Sequence, residues 1–156
     1  MKPGRPILSL NDNGQSTVEL VAGLIVLVPI VLGLFDMAVV IIANQVNDSA
    51  CRDAARVAAS GRPTADETTA RATQVLKQVY HTGGYLEGPA LVAATPLGIK
   101  APDPVFGGPY SGSVRVETKI TVHLPAPLPG VLPATQEFHA REEYPVTFVE
   151  PNTASP

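Results

Sequence analysis

The side chains suited to acid–base, nucleophilic or metal chemistry are few and scattered. They are His81, His123 and His139, the lone Cys51, and the neighbouring carboxylates Glu142 and Glu143. A metal centre or catalytic pair needs convergence, which these spacings do not impose, so the histidines read as surface residues. Adjacent glutamates on a strand point to opposite faces, which separates Glu142 from Glu143. No glycine-rich phosphate loop, serine elbow or cysteine pair is present. The chain therefore reads as a non-enzyme without cofactor or metal. Cys51 allows no intrachain disulfide. It suits a small apolar packing position on a helix, with a disulfide to a second subunit as the alternative. Two other acids stand out by their neighbours: Glu19 directly precedes a long apolar run, and Asp36 lies inside it.

From Leu20 to Ala43 the only ionisable side chain is Asp36. These twenty-four residues reach about 36 Å as a helix, against a hydrocarbon core of about 30 Å, so one tilted membrane span fits. The run is too long for the apolar region of a secretory signal, and Asn44-Gln45-Val46-Asn47-Asp48 offers no small-residue cleavage site after it. A plain signal anchor and a signal cut in front of the apolar run both remain. Glu19 favours the positive end of a helix dipole and is costly in lipid without a partner. Gly14 lacks a Cβ and permits close backbone approach by a protease. Pro29 removes a helix hydrogen bond and predicts a kink, while Gly23 and Gly33 permit close helix–helix approach. Asp36, about 26 Å beyond Glu19, is expected at the outer interface, where it would be solvated. Lys2 and Arg5 precede the span with Asp12, whereas Asp48 and Asp53 balance Arg52 and Arg56 after it. That bias favours a cytoplasmic N-terminus.

Helical periodicity continues past the span. Val46, Ala50, Ala54 and Ala58 recur every fourth residue as a stripe of small apolar groups fit for close packing against a helix or sheet. Gly61 and Pro63 end this helix. Thr64 and Glu67 carry a capping-box signature for a second helix with Ala72, Val75, Leu76 and Val79 on its apolar face. Tyr80 to Gly88 reads as turn, Leu91 to Thr95 as a short strand, and Pro96 to Gly112 as loop. Ser113 to Leu124 is the clearest strand, with Val114, Val116, Thr118, Ile120, Val122 and Leu124 on one face. Pro125 to Pro133 cannot pair as a central strand. Gln136 to Val149 returns as a strand broken or bulged at Pro145. The predicted fold is α+β: an N-terminal transmembrane helix extended outward, then a second helix and a small antiparallel sheet. The net charge of −3 and the absence of a basic cluster point away from nucleic acid.

Gly14-Gln15-Ser16-Thr17-Val18-Glu19 resembles the type III signal of prepilins, with glycine before the scissile bond and glutamate fifth after it. Leu20 stands where pilins of this class often carry an aromatic. Phe35-Asp36-Met37-Ala38 and Asp53-Ala54-Ala55-Arg56-Val57-Ala58-Ala59 resemble the span end and following helix of the TadE/TadG-like pilus assembly proteins. The resemblance implies a Tad (Flp, type IVb) pseudopilin or minor pilin that acts in assembly or anchoring of pili for adhesion or secretion. It implies processing between Gly14 and Gln15 by a prepilin peptidase, and assembly roles for Glu19, Pro29 and Asp36. Its partners would be pilin and other pseudopilin subunits, the inner-membrane assembly platform and the lipid bilayer. The implied organisation is a leader at 1–14, a transmembrane helix at 15–43 and a helical region at 44–80. A β-rich extracytoplasmic region at 81–149 and a disordered tail at 150–156 follow. The alternative is an uncleaved single-pass anchor in the bacterial cell membrane that presents an envelope-binding domain.

Overall fold

The computed structural model describes residues 12–80, 83–127 and 133–151, with side chains from residue 17 onward. One helix, α1 (Asp12–Ala59), runs 48 residues without a break through Pro29 and across the position where the apolar run gives way to polar sequence. A second helix, α2 (Ala65–Val79), follows. The strands are β1 (Leu86–Lys100), β2 (Gly108–Pro109), β3 (Ser111–His123), β4 (Thr135–Pro145) and β5 (Val149–Glu150). β1, β3 and β4 form an antiparallel sheet in the order β1-β3-β4, and β2 pairs with β5. The α+β fold expected from the sequence is present: a long apolar helix, a second helix and a small antiparallel sheet.

The C-terminal half of α1 lies across the sheet. The alternation in β3 places Val114, Val116, Thr118, Ile120 and Val122 on the covered face, all fully buried. Against them and α2, α1 buries Ala50, Cys51, Ala54, Ala55 and Ala58 completely. A second cluster, nearer the apolar end, joins Ala43 to Ile120, Val122 and Leu124, with Val39, Val40, Val46, Leu86 and Phe138 packed around it. The domain thus reaches into the apolar run itself.

Three local expectations are corrected. The sequence predicts a strand only over Leu91 to Thr95 and loop over Pro96 to Gly112, yet β1 extends from Leu86 to Lys100 through Pro89 and Pro96. β1 is an edge strand paired on one side, where proline is tolerated, and its register shifts between Glu87 and Ala90 and between Leu91 and Ala93. Thr64 starts α2 in extended geometry but makes no side-chain cap. Glu67 is drawn instead to Arg71 (3.2 Å), whose guanidinium donates to the carbonyls of Ala58 (3.0 Å) and Arg62 (2.7 Å) and so closes the end of α1. Gly61 has no positive φ; its function is space, because a Cβ there would run into the Arg71 guanidinium. Finally, Glu150 is not part of a disordered tail: it lies in β5, accepts from Arg62 (2.7 Å) and from the Tyr110 hydroxyl (2.7 Å). Residues 152–156 lie outside the described residues.

Because Ala54 is fully buried in the core between α1, α2 and the sheet, Ala54→Leu is expected to destabilise the full chain by about 1–3 kcal/mol. Val57→Leu, at a position 36% exposed on the same helix, changes stability by no more than about 0.5 kcal/mol. Urea unfolding in detergent, followed by circular dichroism, measures both.

Candidate functional site

The features marked by the sequence lie along α1 and divide at Asp36. Before it, the side chains from Val18 onward stay open among the described residues. Thr17 to Phe35 is exposed all round apart from half-buried Gly33, with Leu20 65%, Ile25 69% and Leu34 63% exposed. Among these residues a Cβ built on Gly23 would meet nothing. The backbone at Gly14 and Gln15 is helical, while the Gln15 side chain lies outside the described residues. Glu19 is exposed, and Pro29 sits in the middle of the bare apolar segment.

Beyond Asp36, one face of the same helix is covered by the chain itself. The stripe Ala50, Ala54 and Ala58 packs inside the domain, and Val46 packs against the second core cluster. Asp36 is fully buried, not solvated as expected at an interface. Its Oδ1 accepts the backbone N–H of Ala126 at 3.3 Å, and its Oδ2 has no hydrogen-bond partner among the described residues. The proline-rich segment after β3 folds back onto the helix at this point.

Asn47 is the residue the sequence reading passed over. It is 1% exposed; its amide donates to the Phe138 carbonyl (3.1 Å), and its Oδ1 accepts from the Thr118 hydroxyl (2.9 Å). One side chain thus ties α1 to both β3 and β4. The signal was available: Thr118 interrupts an otherwise apolar strand face, and a buried hydroxyl needs a partner. Cys51 lies one turn further on, fully buried, with its thiol donating to the Val116 carbonyl at 3.3 Å. Burial pushes that thiol up from its usual pKa and disfavours the thiolate.

The remaining ionisable groups serve as cross-links. Glu142 faces the helix and pairs with Arg52 (3.0 Å), whereas Glu143 faces outward to Ser113 and Arg115. The Ser113 hydroxyl and the Arg115 guanidinium hold Glu143 below the usual carboxylate range. On the outer face Glu117 pairs with Arg141, Lys119 with Glu137 and His123 with Glu87. His139 lies exposed on that face, and His81 is outside the described residues. Among the described residues no three His, Cys, Asp or Glu side chains come together to hold a metal ion. A groove of about 750 Å³ between α2 and β1 has Lys77 as its only charged lining residue, beside Thr73, Leu76, Tyr80 and Leu91.

Tyr80, at the end of α2, donates its hydroxyl to Asp53 on α1 (2.7 Å). Desolvation, then the hydrogen bond to Asp53, pushes its pKa from 10.0 up to about 12. The folded protein therefore keeps a proton that the unfolded chain gives up near pH 10. The stabilisation is complete below pH 10.0 and is lost as pH rises through about 12. Tyr80→Phe is expected to be less stable at neutral pH and to lack this alkaline loss, as denaturation midpoints across the window would report.

The family model described as TadE-like protein matches residues 14–56, the segment that contains the bare apolar helix, Asp36 and the start of the small-residue face. No curated protein and no solved structure matches the chain.

Proposed function

We propose, from the TadE-like match over residues 14–56 and the single apolar N-terminal helix, that this is a Tad pilus-associated membrane protein working as a pseudopilin or minor pilin. The observation that carries this reading is the segment from Thr17 to Phe35. A helix that is apolar all round is stable only when covered on every side, and among the described residues Val18 to Phe35 is left exposed apart from half-buried Gly33. Lipid supplies the cover in the precursor, and the helices of neighbouring pilin or pseudopilin subunits supply it after assembly. Its place is the bacterial cell membrane, crossed once, with the leader cytoplasmic and the sheet domain extracytoplasmic.

In this reading a prepilin peptidase cuts between Gly14 and Gln15. The new amine of Gln15 then meets the Glu19 carboxylate of an adjacent subunit, which fixes the helical register without an unpaired charge in an apolar bundle. Pro29 leaves the Ile25 carbonyl without its helix donor and allows the bare segment to bend against its neighbours. The alanine face at Ala50, Ala54 and Ala58 makes the domain and the helix one rigid unit, so a force or a docking event at the sheet reaches the membrane helix. The inner-membrane assembly platform would be the partner that receives it.

Mass spectrometry of the N-terminus in cells with and without prepilin peptidase tests the processing step. A chain that starts at Gln15 only when the peptidase is present is the expected result, and Gly14→Val should abolish it. Glu19→Val should still be cut but fail to co-purify with pilin subunits. An intact leader under both conditions would replace this reading with an uncleaved single-pass anchor.

A further inference from the structure

The lower end of the domain has a construction that an aqueous setting does not explain. A carboxylate at the rim of a membrane span is cheap to solvate, and Asp is almost never fully buried without good partners. Asp36 is nevertheless 0% exposed, with one hydrogen bond of 3.3 Å and a second oxygen that has no hydrogen-bond partner among the described residues. The segment Leu124-Pro125-Ala126-Pro127 reaches it through Ala126. The backbone N–H groups of that segment are all accounted for. Leu124 donates to the Ala134 carbonyl (2.9 Å), Ala126 donates to Asp36, and the two prolines have none. These four residues leave no backbone N–H unpaired and carry no charged side chain, so the segment adds no donor cost at the boundary between hydrocarbon and headgroups, where water still reaches its carbonyls.

The helix at the same level agrees. One face of α1 is packed against the domain from Val39 onward, but the other stays apolar and open through Met37 (61% exposed), Ile41 (47%) and Ile42 (53%). Exposed polar residues begin immediately above, at Gln45, Asp48 and Arg52. With Glu19 at the inner boundary of the precursor, a core of about 30 Å takes about 20 residues of upright helix and more of a tilted one, so the outer edge falls between Val39 and Ala43 for the tilted span. Asp36 therefore lies below the outer edge of the hydrocarbon, not above it.

We propose that the segment at 124–127 and the open face of α1 from Met37 to Ile42 form one lipid-contacting collar. The domain is sunk into the outer bilayer surface, and Asp36 is capped by the loop that enters with it. This rests on α1 being a membrane span. The apolar surface of the span continues without a gap into the collar, and the bilayer that covers the one covers the other.

The test uses the full-length Cys51→Ala protein in phosphatidylethanolamine vesicles containing phosphatidylglycerol. Single nitroxide labels are placed at Ile25→Cys, Ile42→Cys, Pro127→Cys and, on the outer sheet face, His139→Cys. Relaxation by oxygen and by a water-soluble nickel complex is then compared. The oxygen-to-nickel ratio at positions 42 and 127 is expected to match position 25 in sign and to exceed position 139 several-fold. A lipid signature at 25 with an aqueous one at 42 and 127 would overturn the collar and leave the span intact. Low access to both reagents at 42 and 127 would also overturn it, because protein and not lipid would then cover the face. An aqueous signature at 25 would remove the span and the collar together.

Discussion

Ala50, Ala54, Ala55 and Ala58 present nothing larger than a methyl toward the sheet and α2, so the backbone of α1 settles directly onto β3. The closeness is visible at Cys51, whose sulfur touches the Val116 carbonyl of the strand itself. Larger side chains would hold the helix off, open the layer between Val114 and Val122, and uncouple the domain from the span. Interiors at close-packed density tolerate little added volume. The short contact also explains why a domain with so few large aromatics is closed: small residues on the helix are matched by β-branched ones on the strand.

Two buried polar residues set the position of the helix along the sheet, which an alanine face alone would leave free to slide. Asn47 reaches β3 and β4 at once, and any axial shift would strand its amide and the Thr118 hydroxyl without partners. Asp36, three turns earlier, holds the segment after β3 at Ala126. Apolar contact supplies the attraction, and these directional bonds select one register from several of similar burial.

The outer face of the sheet follows different rules. Its cross-strand pairs, Arg115 with Glu143, Glu117 with Arg141 and Lys119 with Glu137, are largely solvated. Exposed pairs of this type are worth about 0–1 kcal/mol each, so they add little to stability. Their effect is to keep that face wet and to make a second sheet or a foreign strand an unfavourable neighbour. Pro89 and Pro96 blunt the β1 edge in the same sense. Among the described residues, the longest continuous run of exposed apolar side chains is on the helix below Gln45.

The sequence alone determined the elements whose signal is local. The apolar run, the four-residue stripe from Val46 to Ala58 and the alternation from Val114 to Leu124 each declare their type through periodicity, and all are present in the fold. The glycine at 14 and the acids at 19 and 36 were legible as marks on that helix. Tertiary structure alone decided what each mark touches. Prolines argued against a long β1 because proline is excluded from central strands, and only the strand order reveals that β1 is an edge. Thr64 and Glu67 spelled a cap, but Arg71, held over Gly61, competes for the glutamate. Asp36 looked solvated because the reach of a helix gives depth and says nothing of what folds back across it. A loop ninety residues away donates the Ala126 N–H to it. Such contacts depend on partners distant in sequence, and no window along the chain contains both halves.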